Sequence, residues 1–229
     1  MLKWVSGIFG KSLGMDLGTA NSLIYAPRKG IVLNEPSVVA IDHDDRILAV
    51  GHQARRCVGR TPKGIRLVRP MKNGVIADFE AAERMISHFI NQATSGSRLF
   101  KPRMVIGVPN GITAIERRAV IDSALLGGMR EVLLIDEAVA AAVGAGLPIM
   151  DAQGSMVVDI GGGTSDIAVM CLSAVVCGES ARVAGDVMDE AIQNFLKEEF
   201  RFLVGEVVKR PEDDERIQWI SSDEFKACR

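Results

Sequence analysis

Four cysteines are spread through this chain of 229 residues, and none stands in a C-x-x-C pair. That spacing argues against a zinc site or a disulfide framework and fits reduced thiols. No apolar run approaches the ~18 residues that a membrane-spanning helix needs. The first residues lack a long apolar stretch followed by a small-residue cleavage site, so no secretory leader is expected. An excess of one charge is also missing. With 27 Lys and Arg against 29 Asp and Glu, the net charge is −2, which gives no general pull toward nucleic acid. Two common phosphate motifs are absent. Gly10-Lys11-Ser12 mimics the end of a Walker A loop, but Val5 stands where its first glycine belongs. No G-x-G-x-x-G follows a strand in the dinucleotide manner. What remains is an α/β composition, 48% hydrophobic with 23 glycines, able to bury the core of one or two domains.

One motif occurs twice. The first copy is Gly14-Met15-Asp16-Leu17-Gly18-Thr19-Ala20-Asn21-Ser22-Leu23-Ile24-Tyr25. The second runs from Val157 through Asp159, Gly161, Gly162, Gly163 and Thr164 to Asp166 and Val169. Each reads as a strand, a tight glycine turn and a returning strand, which is a hairpin signature. Repetition suggests two related halves. Facing each other, two such turns would offer backbone N–H groups to a polyphosphate, and Asp16 and Asp159 would hold Mg²⁺ through its waters. An isolated D-x-G more often caps its own turn; the matched second copy favours the functional reading.

These residues carry a resemblance. The run Asp16 to Tyr25, the segment Asn34-Glu35-Pro36-Ser37, Gly59-Arg60-Thr61-Pro62 and Arg69-Pro70-Met71-Lys72-Asn73-Gly74 resemble MreB, the bacterial actin family. Ile115-Glu116-Arg117-Arg118, Ala140 to Pro148 and the second glycine motif extend the likeness, which is dense from about residue 13 to residue 196. It implies an α/β, actin-like (ribonuclease-H-like) fold with mixed sheets flanked by helices, its first half complete and its second partial. ATP and Mg²⁺ are the implied cofactors.

The resemblance also implies roles. Gly18, Thr19, Ala20 and Asn21 on one side, and Gly161, Gly162, Gly163 and Thr164 on the other, would contact phosphates. Gly185 and Asp186 would face the nucleotide from the entry to an outer subdomain. Glu116 would position the attacking water, with Thr164 as a second such group. Thr113-x-x-Glu116 is equally a capping box, and the two roles are compatible. Asp136-Glu137-Ala138 stands where Glu-Glu-Pro is expected; Glu137 is kept, and the proline with its fixed φ is lost.

The expected organisation is an N-terminal segment 1–11, a first half 12–139 with a small insertion at about 40–72, a partial second half 140–205, and a charged tail 206–229. On a helical wheel Leu2, Trp4, Val5, Ile8 and Phe9 share one arc, which reads as a leader or as a membrane-surface helix. An amphipathic helix is expected at 79–94, with Phe79, Ala82, Met85, Ile86, Phe89 and Ile90 on its apolar face, and further helices at 114–127, 136–145 and 186–203. Nothing in 206–229 matches the third glycine motif or the second inter-domain helix that the resemblance implies. The chain is therefore expected to be a shortened member whose Mg-dependent ATPase activity is in question.

Two functions of different kind follow. One is a membrane-associated filament protein at the inner face of the cytoplasmic membrane, which maintains rod shape by guiding the cell-wall elongation machinery. The other is a non-catalytic remnant that associates with full-length MreB. Asn34 to Ser37 and the very small insertion disfavour a chaperone-like or sugar-kinase-like ATPase.

Overall fold

The computed structural model describes residues 12–44, 46–57, 64–94 and 101–202. The calls on residues 1–11 and on the tail 206–229 lie outside the described residues.

The first hairpin is β1 (Ser12–Leu17) and β2 (Asn21–Ala26), followed by β3 (Gly30–Pro36). Leu13, Met15 and Leu17 alternate with polar or small residues, so one face of β1 is buried. A separate three-stranded sheet is built from β4 (Val39–Ile41), β5 (Ile47–Val50) and β6 (Arg66–Val68), with the single-turn helix α1 (His52–Arg55) beside it. A short hairpin, β7 (Met71–Lys72) and β8 (Val75–Ile76), turns at Asn73 and Gly74. Both residues have positive φ, 51° and 75°, the geometry that an Asn-Gly turn supplies.

Helix α2 (Phe79–Thr94) buries Ala81, Ala82, Met85, Ile86, Phe89 and Ile90. Phe79, expected on that face, is largely exposed at its N-terminal end. Strand β9 (Arg103–Val108), helix α3 (Ala114–Leu126) and strand β10 (Glu131–Asp136) complete the first half. Its sheet has the order β10-β9-β1-β2-β3, with β9 and β10 parallel to β1. Asp16 is level with Gly107, and Gly107 with Ile135. One core, formed by β1, β2, α2, β9 and α3, includes Ile24, Met85, Phe89, Met104 and Ile106.

Helix α4 (Glu137–Gly144) starts directly from β10. Then come β11 (Ser155–Ile160), β12 (Ser165–Cys171) and β13 (Ala174–Ala181), an antiparallel sheet in that order. Asp159 pairs in register with Asp166. The small core here is Ala138, Ala142, Ala168 and Met170. The last described helix, α5 (Gly185–Phe200), ends where Arg201 adopts a left-handed φ of 58°. It buries none of its residues, and Met156, Val158 and Ile160 of β11 are exposed. Among the described residues, no helix is long and apolar enough to cross a membrane.

Candidate functional site

The two hairpin turns meet. A Cβ added to Gly162 would lie 2.8 Å from the Cβ of Ala20, and one added to Gly163 would strike the Thr19 hydroxyl and lie 2.9 Å from Asn73 Cα. Only glycine permits this approach. Thr19 and Thr164 are both buried. The β7–β8 turn closes the junction: Gly74 N–H donates to Thr19 Oγ1 at 3.0 Å, and a Cβ on Gly74 would lie 2.7 Å from Thr164 Cγ2.

Each turn is braced from behind through its carbonyls. Ser37 N–H donates to the Ala20 carbonyl at 3.0 Å, and the Ser37 hydroxyl donates to the Gly18 carbonyl at 2.7 Å. This gives the Asn34–Ser37 segment a physical role. In the second turn Gly161 N–H donates to the Thr164 carbonyl at 2.8 Å, while the amides of Gly185 and Asp186 donate to Gly161 and Gly162 carbonyls at 3.1 and 2.8 Å. Gly185 and Asp186 thus act on the second turn through their backbones. Gly18 also needs its missing side chain, since a Cβ there would lie 2.5 Å from the Asn21 carbonyl oxygen.

Four acids gather beside the turns. The crowded walls strip water from Asp16 and raise its pKa, and repulsion from Asp159 adds to this. Asp159 is raised by loss of water and then by Asp166. Glu137 is pushed up to about 8, by burial first and then by Asp16, Asp166 and Asp159. Its side chain passes over Gly107, where a Cβ would lie 3.2 Å from Glu137 Cγ. Asp166 is buried and accepts from Asn110 N–H at 3.1 Å. Such a set of mutually repelling carboxylates is stabilised by a cation.

Glu116 is held at the head of α3. It is the third residue of α3, and the capping box with Thr113 is formed. Thr113 N–H and hydroxyl donate to Glu116 Oε2 at 2.7 and 2.9 Å, and Glu116 N–H donates to Thr113 Oγ1 at 3.2 Å. Its other oxygen, Oε1, faces Arg182 Nη2 at 3.6 Å. Glu116 also lines a small recess with Leu17, Gly74 and Pro109. The residue underweighted by the sequence reading is Glu137. Its signal was the acidic pair Asp136-Glu137 between an apolar strand and a small-residue helix.

Residues 10–217 match the MreB/Mbl protein family. The chain is 53% identical to the cell shape-determining protein MreB of Escherichia coli K12 over 212 residues, which are 90% of this chain and 61% of that protein. It is 50% identical to the cell shape-determining protein Mbl of Bacillus subtilis 168 over 200 residues, 87% of this chain and 60% of that protein. It thus spans about three fifths of the length of the curated relatives it matches. The crystal structure of MreB5 of Spiroplasma citri bound to ADP superposes with a TM-score of 0.78 at 36% identity, covering 86% of this chain and 59% of the other. The MamK double helical filament shares the fold, with a TM-score of 0.69 at 23% identity over 83% of this chain and 59% of the other. The fold is actin-like, and the chain belongs to the MreB/Mbl family.

Proposed function

We propose that this chain binds Mg-ATP between its two hairpin turns and serves as an actin-like cytoskeletal protein of cell shape. The observation that carries the reading is the seating of Gly162 against Ala20 and of Gly163 against Thr19. With their carbonyls held by Ser37, Gly185 and Asp186, the turns have amides left to meet phosphate oxygens. Solved relatives with this fold carry ADP and AMPPNP.

The acidic set fits Mg²⁺. Asp16 and Asp159 are the pair that would hold it through waters, since a hard divalent cation takes oxygen ligands and keeps much of its hydration. Bound there, the ion would neutralise charge on the phosphates. We assign water positioning to Glu116, with Thr164 as a second such group: Glu116 lines the recess that Gly74 and Gly107 share, and Gly74 packs against the Thr164 side chain. Glu137 faces the acids at the start of α4, and the bonds from Thr113 hold the Glu116 carboxylate in one orientation at the head of α3. Replacing Asp159 by Ala tests the assignment of Asp16 and Asp159 to Mg²⁺. Binding of a fluorescent ATP analogue should fall at least tenfold with the circular dichroism unchanged. Unaltered binding would refute the assignment.

At the cellular level the reading is a filament that guides the cell-wall elongation machinery from the inner face of the cytoplasmic membrane. Residues 1–11 would supply the contact, through one apolar arc and two lysines. Co-sedimentation with anionic vesicles that is lost in Trp4→Glu supports this contact, and unchanged sedimentation removes it. A second reading, association with a full-length MreB-type chain, is favoured by the uncovered apolar side chains of α5, among them Ile192 and Phe195. Co-pelleting with filaments of such a relative separates it from self-assembly.

A further inference from the structure

We propose that Arg182 is a positioning residue: by pairing with Glu116 it latches the second half of the molecule to the head of α3 and slows the opening of the cleft. Arg182 follows β13, in the second half, and Glu116 opens α3, in the first. Their side chains approach to 3.6 Å. Thr113 has already immobilised Glu116 through three hydrogen bonds, so the pair costs ordering of the arginine alone. The same donors, then Arg182, hold the Glu116 carboxyl below its usual pKa and keep it charged.

The latch is connected to the second glycine turn by a short path. The Ser165 hydroxyl donates to the Val183 carbonyl at 2.7 Å. Ser165 follows Thr164, and Val183 follows Arg182. Withdrawal of the second turn from Thr19 and Ala20 therefore draws Arg182 away from Glu116. A second cross-link falls on the same stretch of the first half: Asn110 N–H donates to the buried Asp166 carboxylate. Gly178 lacks a side chain where the Asn110 side-chain amide sits, so this joint is closely packed. The arginine is 59% exposed, which makes the pair weak, reversible and sensitive to salt. An exposed pair of this kind shifts an equilibrium by about two- to five-fold.

The consequence for ligand release rests on the nucleotide reading above, while the latch itself does not. The test uses the full chain and two readouts. The first is amide hydrogen exchange at Asn110 without nucleotide. The second is release of a fluorescent ATP analogue with Mg²⁺. In Arg182→Ala both should quicken by about two- to five-fold at low ionic strength and approach wild-type values at about 1 M salt, where screening is nearly complete. Arg182→Lys should restore part of the effect. In a Glu116→Ala background, Arg182→Ala should change nothing further, because the partner is already gone. Wild-type exchange at Asn110 in Arg182→Ala, or an equal effect in both backgrounds, overturns the latch. A chain that binds no nucleotide while Asn110 exchange still responds to Arg182→Ala would refute the nucleotide reading and leave the latch standing.

Discussion

Glu137 passes over Gly107 so closely that a Cβ on the glycine would lie 3.2 Å from Glu137 Cγ. Gly107 is level with Asp16 in the adjoining strand. The absent side chain is therefore what lets the first acid of α4 lie beside the first acid of the duplicated motif. Gly107→Ala should shift Glu137 by a few tenths of an ångström. We expect a several-fold loss of Mg-ATP affinity with a stability cost of only about 1 kcal/mol. Calorimetric titration and urea unfolding of the same variant separate the two effects.

Glu116 should behave as a cap. Thr113→Ala removes the hydroxyl that accepts from Glu116 N–H and should cost about 1 kcal/mol in urea unfolding at pH 7. The Glu116 carboxyl lies below its ordinary value of 4.5 in the folded chain, mainly through the Thr113 backbone and hydroxyl bonds. A carboxyl depressed on folding adds stability that is fully present above the unfolded value and is lost as pH falls through the folded value. The stability difference between wild type and Glu116→Ala should therefore narrow below about pH 4.5. A difference independent of pH from 7 to 3 would show that the charged cap contributes nothing.

Phe89 is fully buried in the first core. Phe89→Ala should cost about 3–5 kcal/mol. Since Phe89 packs in a core separate from that of Ala138, Ala142, Ala168 and Met170, its loss should expose the amides of β1 and β9 to hydrogen exchange before those of β12.

The hairpin duplication was legible because its signal is local: an Asp-x-Gly turn between apolar runs. Helix α2 was legible for the same reason, through the period of Met85, Ile86, Phe89 and Ile90. The meeting of Gly162 with Ala20 was inferred from repetition alone, since no local pattern specifies contact between distant turns. The roles of Ser37 and of the Asn73-Gly74 turn were invisible. Each acts through bonds to residues far along the chain, and the sequence offered them only as part of a resemblance. Glu116 was named a site residue and Glu137 was not, for a related reason. Thr113-x-x-Glu116 is a pattern within one turn of helix, whereas Glu137 reaches Asp16 only across a folded sheet. Arg182 drew no attention, because its partner lies in the other half.

The exposed faces of β11 and α5 bear on turnover. Two halves that close on a nucleotide need both walls of the cleft, and a head-to-tail filament uses two different surfaces. Residues 1–229 should hydrolyse ATP and scatter light on polymerisation much less than a full-length relative under the same conditions. Equal rates and equal filaments would show that the described elements suffice.

The central claim is a phosphate site made of two converging glycine turns and the acids Asp16 and Asp159. Isothermal titration of residues 1–229 with ATP, in the presence and absence of Mg²⁺, tests it most directly. The account predicts one saturable site per chain whose affinity drops at least tenfold when Mg²⁺ is removed, and drops at least tenfold in Asp159→Ala. Titration without saturable heat in Mg²⁺, or equal binding with and without the ion, would contradict it.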